Sequence, residues 1–230
     1  MGALELLRSE QSQLCFVTSN HSKAVSANTT LMAFGFPVAQ LNRKIEEPYH
    51  TNSPVAIATE KIRRAAKLHD IQIICFDGRQ IEVERLSELP IICEDGGFFV
   101  NALNGRPGVQ INPYLEEKGV EGLLEEMRGR SDRSAHFWEV LAYKDPLMEK
   151  PEYFESIVHG VVADEKRGKM QDFNWSKLHL VFVANGYTKT WAEMNAREYK
   201  DYDLRERSRW NRLGEFLRRR SELVKLKSVM

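Results

Sequence analysis

The chain has 230 residues, enough for one α/β domain or for one domain with a second lobe. Apolar residues make up 42% and charged residues 29%, a balance that supports a sizeable core under a polar surface. Lys plus Arg and Asp plus Glu stand at 33 each, so net charge points to no nucleic-acid partner, and no apolar run reaches the roughly 18 residues of a membrane span.

Residues 1 to 11 read as a short polar or helical lead-in without the apolar core of a signal peptide. Cys15, Cys75 and Cys93 lie in apolar, strand-like runs and lack a metal-ligand spacing. They are expected to be buried thiols in a reducing compartment, so a cytoplasmic protein is the default.

Leu14 to Thr18 (LCFVT) is rich in β-formers and predicts a first strand. Ser19-Asn20-His21-Ser22-Lys23 follows, then a helical stretch to about Phe34, closed by Gly35. A strand, a polar turn and a helix start can aim backbone N–H groups and a lysine at an anion; an ordinary capped helix with a solvent lysine has the same pattern. Pro37 to Leu41 predicts a second strand, and Lys44-Ile45-Glu46-Glu47-Pro48 a loop. Residues 54 to 68 predict a helix, with Pro54 at its start and an apolar face of Val55, Ala58, Ile62, Ala65 and Ala66. Lys61 lies either on its wet face, among Glu60, Arg63 and Arg64, or over a site. Ile71 to Phe76 and Gln80 to Arg85 are strand-like, and Asp77-Gly78 between them marks a hairpin.

The stretch from Pro90 to Tyr114 carries the densest signal. Ile91-Ile92-Cys93 predicts a buried strand, Glu94 and Asp95 follow, and Gly96-Gly97 is expected to break it. A buried strand that delivers two carboxylates to a turn puts negative charge at a sheet end, where open α/β sheets bind ligands. An acidic surface turn would read the same. Asn104-Gly105 and Pro107-Gly108 mark two further turns. A helix is expected over 113 to 128, strands over 135 to 143 and 154 to 162, and a loop over 144 to 151. His159 reads as a strand residue. Near the C-terminus Leu204, Trp210, Leu213, Phe216 and Leu217 form a helical apolar stripe, and Arg218-Arg219-Arg220 reads as its solvated face.

ICEDGGFFVNALNGRPGVQI resembles the signature of the inosine/xanthosine triphosphate pyrophosphatases, which reads roughly hydrophobic-(E/D)-D-(S/T)-G-L and then A-L-x-G-x-P-G. Thr18, Asn20 and Lys23 match the family's opening T-G-N-x-x-K, with Ser19 in place of its glycine. DFNWSKLHLVFVANGYTKTWAEM resembles D-F-G-(Y/W)-D-P-x-F followed by G-x-T-x-A-E-(L/M), placing Asp172, Phe173, Trp175, Gly186, Thr190, Ala192, Glu193 and Met194. The resemblance spans roughly residues 13 to 217.

That resemblance implies an α/β fold, an elongated protein of two lobes with a long twisted mixed sheet flanked by helices. It also implies a single pyrophosphatase-like domain over 1–230 and a homodimer; the β-hairpin at 70–89 is read as an insert, a departure from the family. The implied activity is magnesium-dependent hydrolysis of ITP, dITP or XTP to the monophosphate and pyrophosphate. Asp95, Lys23 and Lys61 would be catalytic. Thr18, Asn20, Lys23 and Lys61 would hold the triphosphate, and Phe173 and Trp175 the base. Glu94, Asp95 and one of Glu46 or Glu47, with Glu47 preferred, would hold Mg²⁺.

Departures touch the base site. Ser176-Lys177 replace the acid and proline after the aromatic, and Asn112 replaces a basic residue after the P-G turn. The family's lysine can be matched to Lys200, but no Ser-His-Arg follows it. Arg205 or Arg207 would stand near the missing arginine, and Arg207 is carried forward. A different triphosphate substrate, or a catalytically weak nucleotide-binding protein, is the alternative.

Overall fold

The protein is described by a computed structural model covering residues 14–46, 51–205 and 209–227. Its centre is a nine-stranded mixed sheet in the order β4-β3-β2-β1-β5-β7-β8-β9, with β6 added to β5. The strands are β1 (Leu14–Val17), β2 (Val38–Leu41), β3 (His69–Cys75), β4 (Gln80–Arg85), β5 (Ile91–Val100), β6 (Pro107–Gly108), β7 (Ser134–Lys144), β8 (Glu152–Val162) and β9 (Phe182–Ala184). The helices are α1 (His21–Met32), α2 (Pro54–Ala65), α3 (Ile111–Glu117), α4 (Gly119–Glu126), α5 (Ala196–Arg205) and α6 (Arg209–Lys227).

β1 runs parallel to both β2 and β5, and every other pairing is antiparallel. All four side chains of β1 are buried, because helices cover both faces there. One face carries Cys15, Val17, Ala39, Ile91 and Cys93 against Ala58, Ile62 and Ala65 of α2. The other carries Leu14, Phe16, Val38, Ile92 and Leu141 against Ala24, Ala27 and Leu31 of α1 and Trp210, Leu213 and Leu217 of α6. A third core lies further along β5 and β7, where Phe98, Val100 and Phe137 meet Val120 and Leu123 of α4, Phe182 of β9 and Trp191. The expected hairpin forms as β3 and β4, and β3 extends the sheet by pairing with β2.

Three local expectations are corrected. The strand through Ile91 does not stop at Gly96-Gly97; β5 pairs with β7 from Ile91↔Lys144 to Val100↔Ala135. Close packing requires these glycines: a Cβ at Gly97 would sit 2.4 Å from the Phe99 ring and 3.1 Å from the Gly108 backbone. The helix expected over 113 to 128 is two helices, split where Gly119 takes φ +66°, a conformation an L side chain resists. Arg220 is no part of a solvated face: its Nε and Nη2 meet Asp145 at 2.5 and 2.9 Å.

Candidate active site

The register of β1 and β5 opens the site. β1 pairs with β5 only at Cys15↔Ile91 and Phe16↔Ile92, then turns off at Thr18 into α1. β6 covers the same edge of β5 only at Phe98 and Phe99. Between them, from Cys93 to Gly97, one edge of β5 has no neighbouring strand among the described residues. The notch lies beyond the carboxyl ends of β1 and β2, where open α/β sheets place ligands. A cleft of about 510 Å³ fills it.

Side chains alternate along a strand, so Glu94 and Asp95 leave β5 on opposite faces. At an edge with no neighbour both still reach the cleft. Asp95 goes towards α2, where Lys61 Nζ meets its Oδ2 at 2.5 Å and the Glu94 carbonyl at 3.2 Å. Lys61 is thereby taken off the wet face of its helix. Glu94 goes towards α1 and α6. Lys23 Nζ stands 3.3 Å from its Oε2, and Arg209 Nε donates to its Oε1 at 2.9 Å, with Arg209 Nη2 on the same oxygen.

Lys23 owes its position to the turn before it. Asn20 caps α1 by accepting from the Lys23 backbone N–H at 3.1 Å, and the Asn20 N–H donates to Thr18 Oγ1 at 3.1 Å. The Lys23 ammonium also lies 5.0 Å from the centre of the Trp175 ring, in cation–π range. Burial pushes the Glu94 carboxyl up. The positive charges of Arg209 and Lys23, with the hydrogen bonds from Arg209, more than offset this and hold it below the usual carboxylate range.

Two residues of this cluster were not read from the sequence. Glu139 lies on β7 directly opposite Gly96, and its Oε2 accepts from Arg209 Nη1 at 2.6 Å. A carboxylate inside the run Phe137-Trp138-Glu139-Val140-Leu141 was the available signal, since a buried strand rarely spends a position on an unpaired charge. Arg209 opens α6 two residues beyond Arg207, so its partner Glu94 was beyond sequence reasoning. Arg43, Lys44 and Lys177 also line the cleft and were not singled out; Arg43 and Lys44 follow the end of β2, Lys177 opens a short 3₁₀ helix, and only the fold fixes where they point.

The remaining expected residues divide. Thr18, Asn20, Lys23, Lys61, Glu94, Asp95 and Trp175 line the one cleft, and Asn112 lies on its wall. Phe173 and Lys200 line an adjoining cavity of about 630 Å³, which shares Lys23, Glu94, Glu139 and Trp175 with it. There Phe173 stacks on Tyr199 with ring centres 5.0 Å apart. Glu46 lies away from the cleft lining, almost fully exposed, with its carboxylate 3.3 Å from Arg64. Glu47 and Arg207 lie outside the described residues, as does the side chain of Arg205. His159 packs against His136 on the sheet, 5.4 Å between rings.

Behind Trp175 sits a buried histidine. Asn174 Oδ1 accepts from the Gln171 N–H at 3.0 Å, so its amide nitrogen is the atom facing His179 Nδ1 at 2.8 Å. His179 Nδ1 is therefore the acceptor and its proton sits on Nε2. Burial, with Lys23 nearby, pushes the imidazole down to about 3. His179 is a neutral spacer under the Trp175 ring, whose centre is 4.8 Å away.

Among the described residues no group of three or more His, Cys, Asp or Glu side chains could hold a metal by itself, and no helix is long and apolar enough to cross a membrane.

A model of the Ham1 family matches residues 14–209. The dITP/XTP pyrophosphatase of Pyrococcus horikoshii is 30% identical over 186 residues, which cover 81% of this chain and 87% of that protein. The inosine triphosphate pyrophosphatase of Yarrowia lipolytica is 31% identical over 180 residues, 78% of this chain and 82% of that one. A HAM1 protein structure from Coxiella burnetii has a TM-score of 0.69 at 23% identity, covering 90% of this chain and 98% of its own, and shares the fold.

Proposed function

Because the chain belongs to the Ham1 family, we propose that it hydrolyses non-canonical purine nucleoside triphosphates such as dITP, ITP and XTP to the monophosphate and pyrophosphate. One observation carries the reading. Two adjacent carboxylates, each held by a cation from a different helix, stand in a cleft rimmed by Lys23, Arg43, Lys44, Lys61 and Lys177. A cleft with so many cations suits a polyphosphate tail, whose charge they offset in the ground state and more strongly as the anhydride opens.

In this reading Thr18, Asn20 and Lys23, at the start of α1, hold phosphate oxygens. Asp95, oriented by Lys61, positions the attacking water and takes its proton. The α–β anhydride bond breaks as the new P–O bond forms, and pyrophosphate leaves through the basic rim. Trp175 and Phe173 supply stacking surface for the base, with Lys200 at the rim of the adjoining cavity.

The residues fit a divalent cation. Glu94 Oε2 is buried and accepts no hydrogen bond, and a hard cation such as Mg²⁺ needs only one or two carboxylates besides water and substrate phosphates. Glu94 and Asp95 would hold it, with Glu47 as the further ligand suggested by the family resemblance. It would supply Lewis-acid polarisation of the phosphates and a more acidic water.

We place the protein in the cytoplasm as a homodimer, without nucleic-acid or membrane partners. All three cysteines are buried, and β8 presents Ile157 and Val161 on its outer face. The decisive experiment incubates purified protein and Mg²⁺ with usual and deaminated triphosphates, separating pyrophosphate from single phosphate. Pyrophosphate from dITP, ITP or XTP in preference to dATP and dGTP is expected; single-phosphate release, or equal rates on all, would reject the reading. Light scattering on the same sample checks the dimer.

A further inference from the structure

The pyrophosphatase reading gives roles to Glu94 and Lys23 but leaves Glu139, and the contact it makes with Arg209, without one. We infer that Arg209 and Glu139 form a strut that presents a single oxygen of Glu94 to the cleft and keeps that carboxylate's charge available to a divalent cation. The inference rests on the proposed function for what the cation does there.

The hydrogen bonds carry the orientation. An arginine fork commonly takes both oxygens of a carboxylate. Here Arg209 places Nε and Nη2 on the same oxygen, Oε1, so Oε2 is left without a hydrogen bond although it is buried. Lys23, on the cleft side, stands 3.3 Å from Oε2, and in the proposed reaction substrate phosphates compete for that ammonium. The far end of the guanidinium is fixed by Glu139 at 2.6 Å. Glu139 is itself fixed by backbone: it faces Gly96 across the β5–β7 ladder, and a Cβ at Gly96 would press its Cγ at 3.3 Å.

The charges carry the rest. Arg209 alone would neutralise Glu94 and repel an approaching cation. Glu139 offsets the arginine's charge, so Glu94 keeps a negative charge to offer. Groups that orient and tune a metal-holding carboxylate from behind are part of such sites. Arg209 and Glu139 are positioning residues in this arrangement.

The test is calorimetric titration of Mn²⁺ into the metal-free full-length protein, as wild type, Glu139→Gln and the double variant Glu139→Leu/Arg209→Leu. Circular dichroism and thermal melts establish that each is folded. In Glu139→Gln the amide still accepts from Arg209 but the balancing charge is gone, so the Mn²⁺ Kd rises on the order of tenfold. The double variant removes both charges. It binds Mn²⁺ within about threefold of wild type, more tightly than the single variant, while its kcat at saturating metal falls at least about tenfold because Glu94 has lost its aim. A Glu139→Gln protein that binds Mn²⁺ within about twofold of wild type overturns the inference. So does a double variant that binds as weakly as the tenfold-impaired case, which decides the question even where Glu139→Gln fails to fold. Melting temperatures that move while Mn²⁺ affinity does not would reduce the cluster to a structural role and overturn it too. Mn²⁺ that fails to bind wild type also overturns it, whereas pyrophosphate release by that same wild-type protein judges the proposed function separately.

Discussion

Replacing Asp95 by Asn separates chemistry from structure at this site. The amide keeps an acceptor for Lys61, which also retains the Glu94 carbonyl at 3.2 Å, so the local hydrogen-bond pattern survives. What disappears is the negative charge opposite an ammonium that is only 15% exposed. Breaking a buried ion pair costs about 3–5 kcal/mol, and a retained hydrogen bond recovers about 1 kcal/mol, giving a net loss of roughly 2–4 kcal/mol. For a chain of this size each kcal/mol lowers Tm by about 2–4 °C, so the melt should fall by about 4–16 °C and remain cooperative. Turnover should fall much further. An amide cannot take the proton of the attacking water, and loss of a general base costs about 10²–10⁴-fold. The assay is pyrophosphate release from dITP or XTP at 25 °C, well below the variant's melt, with circular dichroism on the same preparation. A folded Asp95→Asn protein with a rate within about threefold of wild type would refute the placement of the base.

The other expectations concern binding, pH and packing. Lys177→Ala removes a cleft cation that touches no carboxylate in the site, so KM for the triphosphate should rise about tenfold with kcat within about threefold; an unchanged KM would take Lys177 out of the phosphate path. His179, held down to about 3 when folded against 6.5 otherwise, makes the native state refuse a proton that the unfolded chain accepts. Its contribution is therefore intact above about pH 6.5 and is lost as pH falls towards 3, at up to about 1.4 kcal/mol per pH unit. Between pH 7 and 5 this amounts to about 2 kcal/mol in urea unfolding, and His179→Gln should flatten the slope by that amount; parallel slopes would contradict it. Gly160→Ala should cost about 2–3 kcal/mol, because the new Cβ would lie 2.2 Å from the Val183 carbonyl and 2.7 Å from the Phe182 ring. A melt lowered by less than about 2 °C would show that β9 yields more easily than the geometry allows.

What the sequence revealed followed local physics. The turn from Thr18 to Lys23 was legible because capping is a matter of neighbouring residues, and the hairpin around Asp77-Gly78 because turn chemistry is equally local. Glu94 and Asp95 stood out because two acids rarely end a buried apolar run. Gly96-Gly97 misled for a related reason: glycine marks both a chain break and a close approach, and only the Phe99 ring and the β6 backbone decide between them. Arg209 and Glu139 were out of reach because their meaning is a contact across 70 residues, and Glu94 lies 115 residues from its arginine. Lys61 was ambiguous on helical periodicity alone. Its resolution towards Asp95 needed the angle at which α2 crosses β5, a quantity of tertiary packing.

The adjacency of Glu94 and Asp95 explains why three helices must converge here. Neighbours on a strand point to opposite faces, so no single side chain can serve both carboxylates, and each must receive its cation from the layer on its own side. α2 delivers Lys61 to one face, while α1 and α6 deliver Lys23 and Arg209 to the other. Had the two acids been spaced i, i+2, both would lie on one face, competing for the same cations and repelling each other. Alternation keeps the two carboxylates apart in partner while the missing strand at the edge of β5 lets them act in one cleft. Each cation is held by apolar packing within about one helical turn of it, Lys61 by Ile57, Ala58 and Ile62 and Arg209 by Trp210 and Leu213, so substitutions in the core beneath would move the cleft's charges. Trimming Leu213 to Ala, for instance, would loosen α6 where it brings Arg209 to Glu94. Beyond the roughly 2–5 kcal/mol such a cavity costs, it should lower kcat more than it raises KM, while an equivalent cavity behind the β3–β4 hairpin at Ile73 should cost stability alone. Equal kinetic effects from the two cavities would mean that α6 carries no special weight in aligning the site.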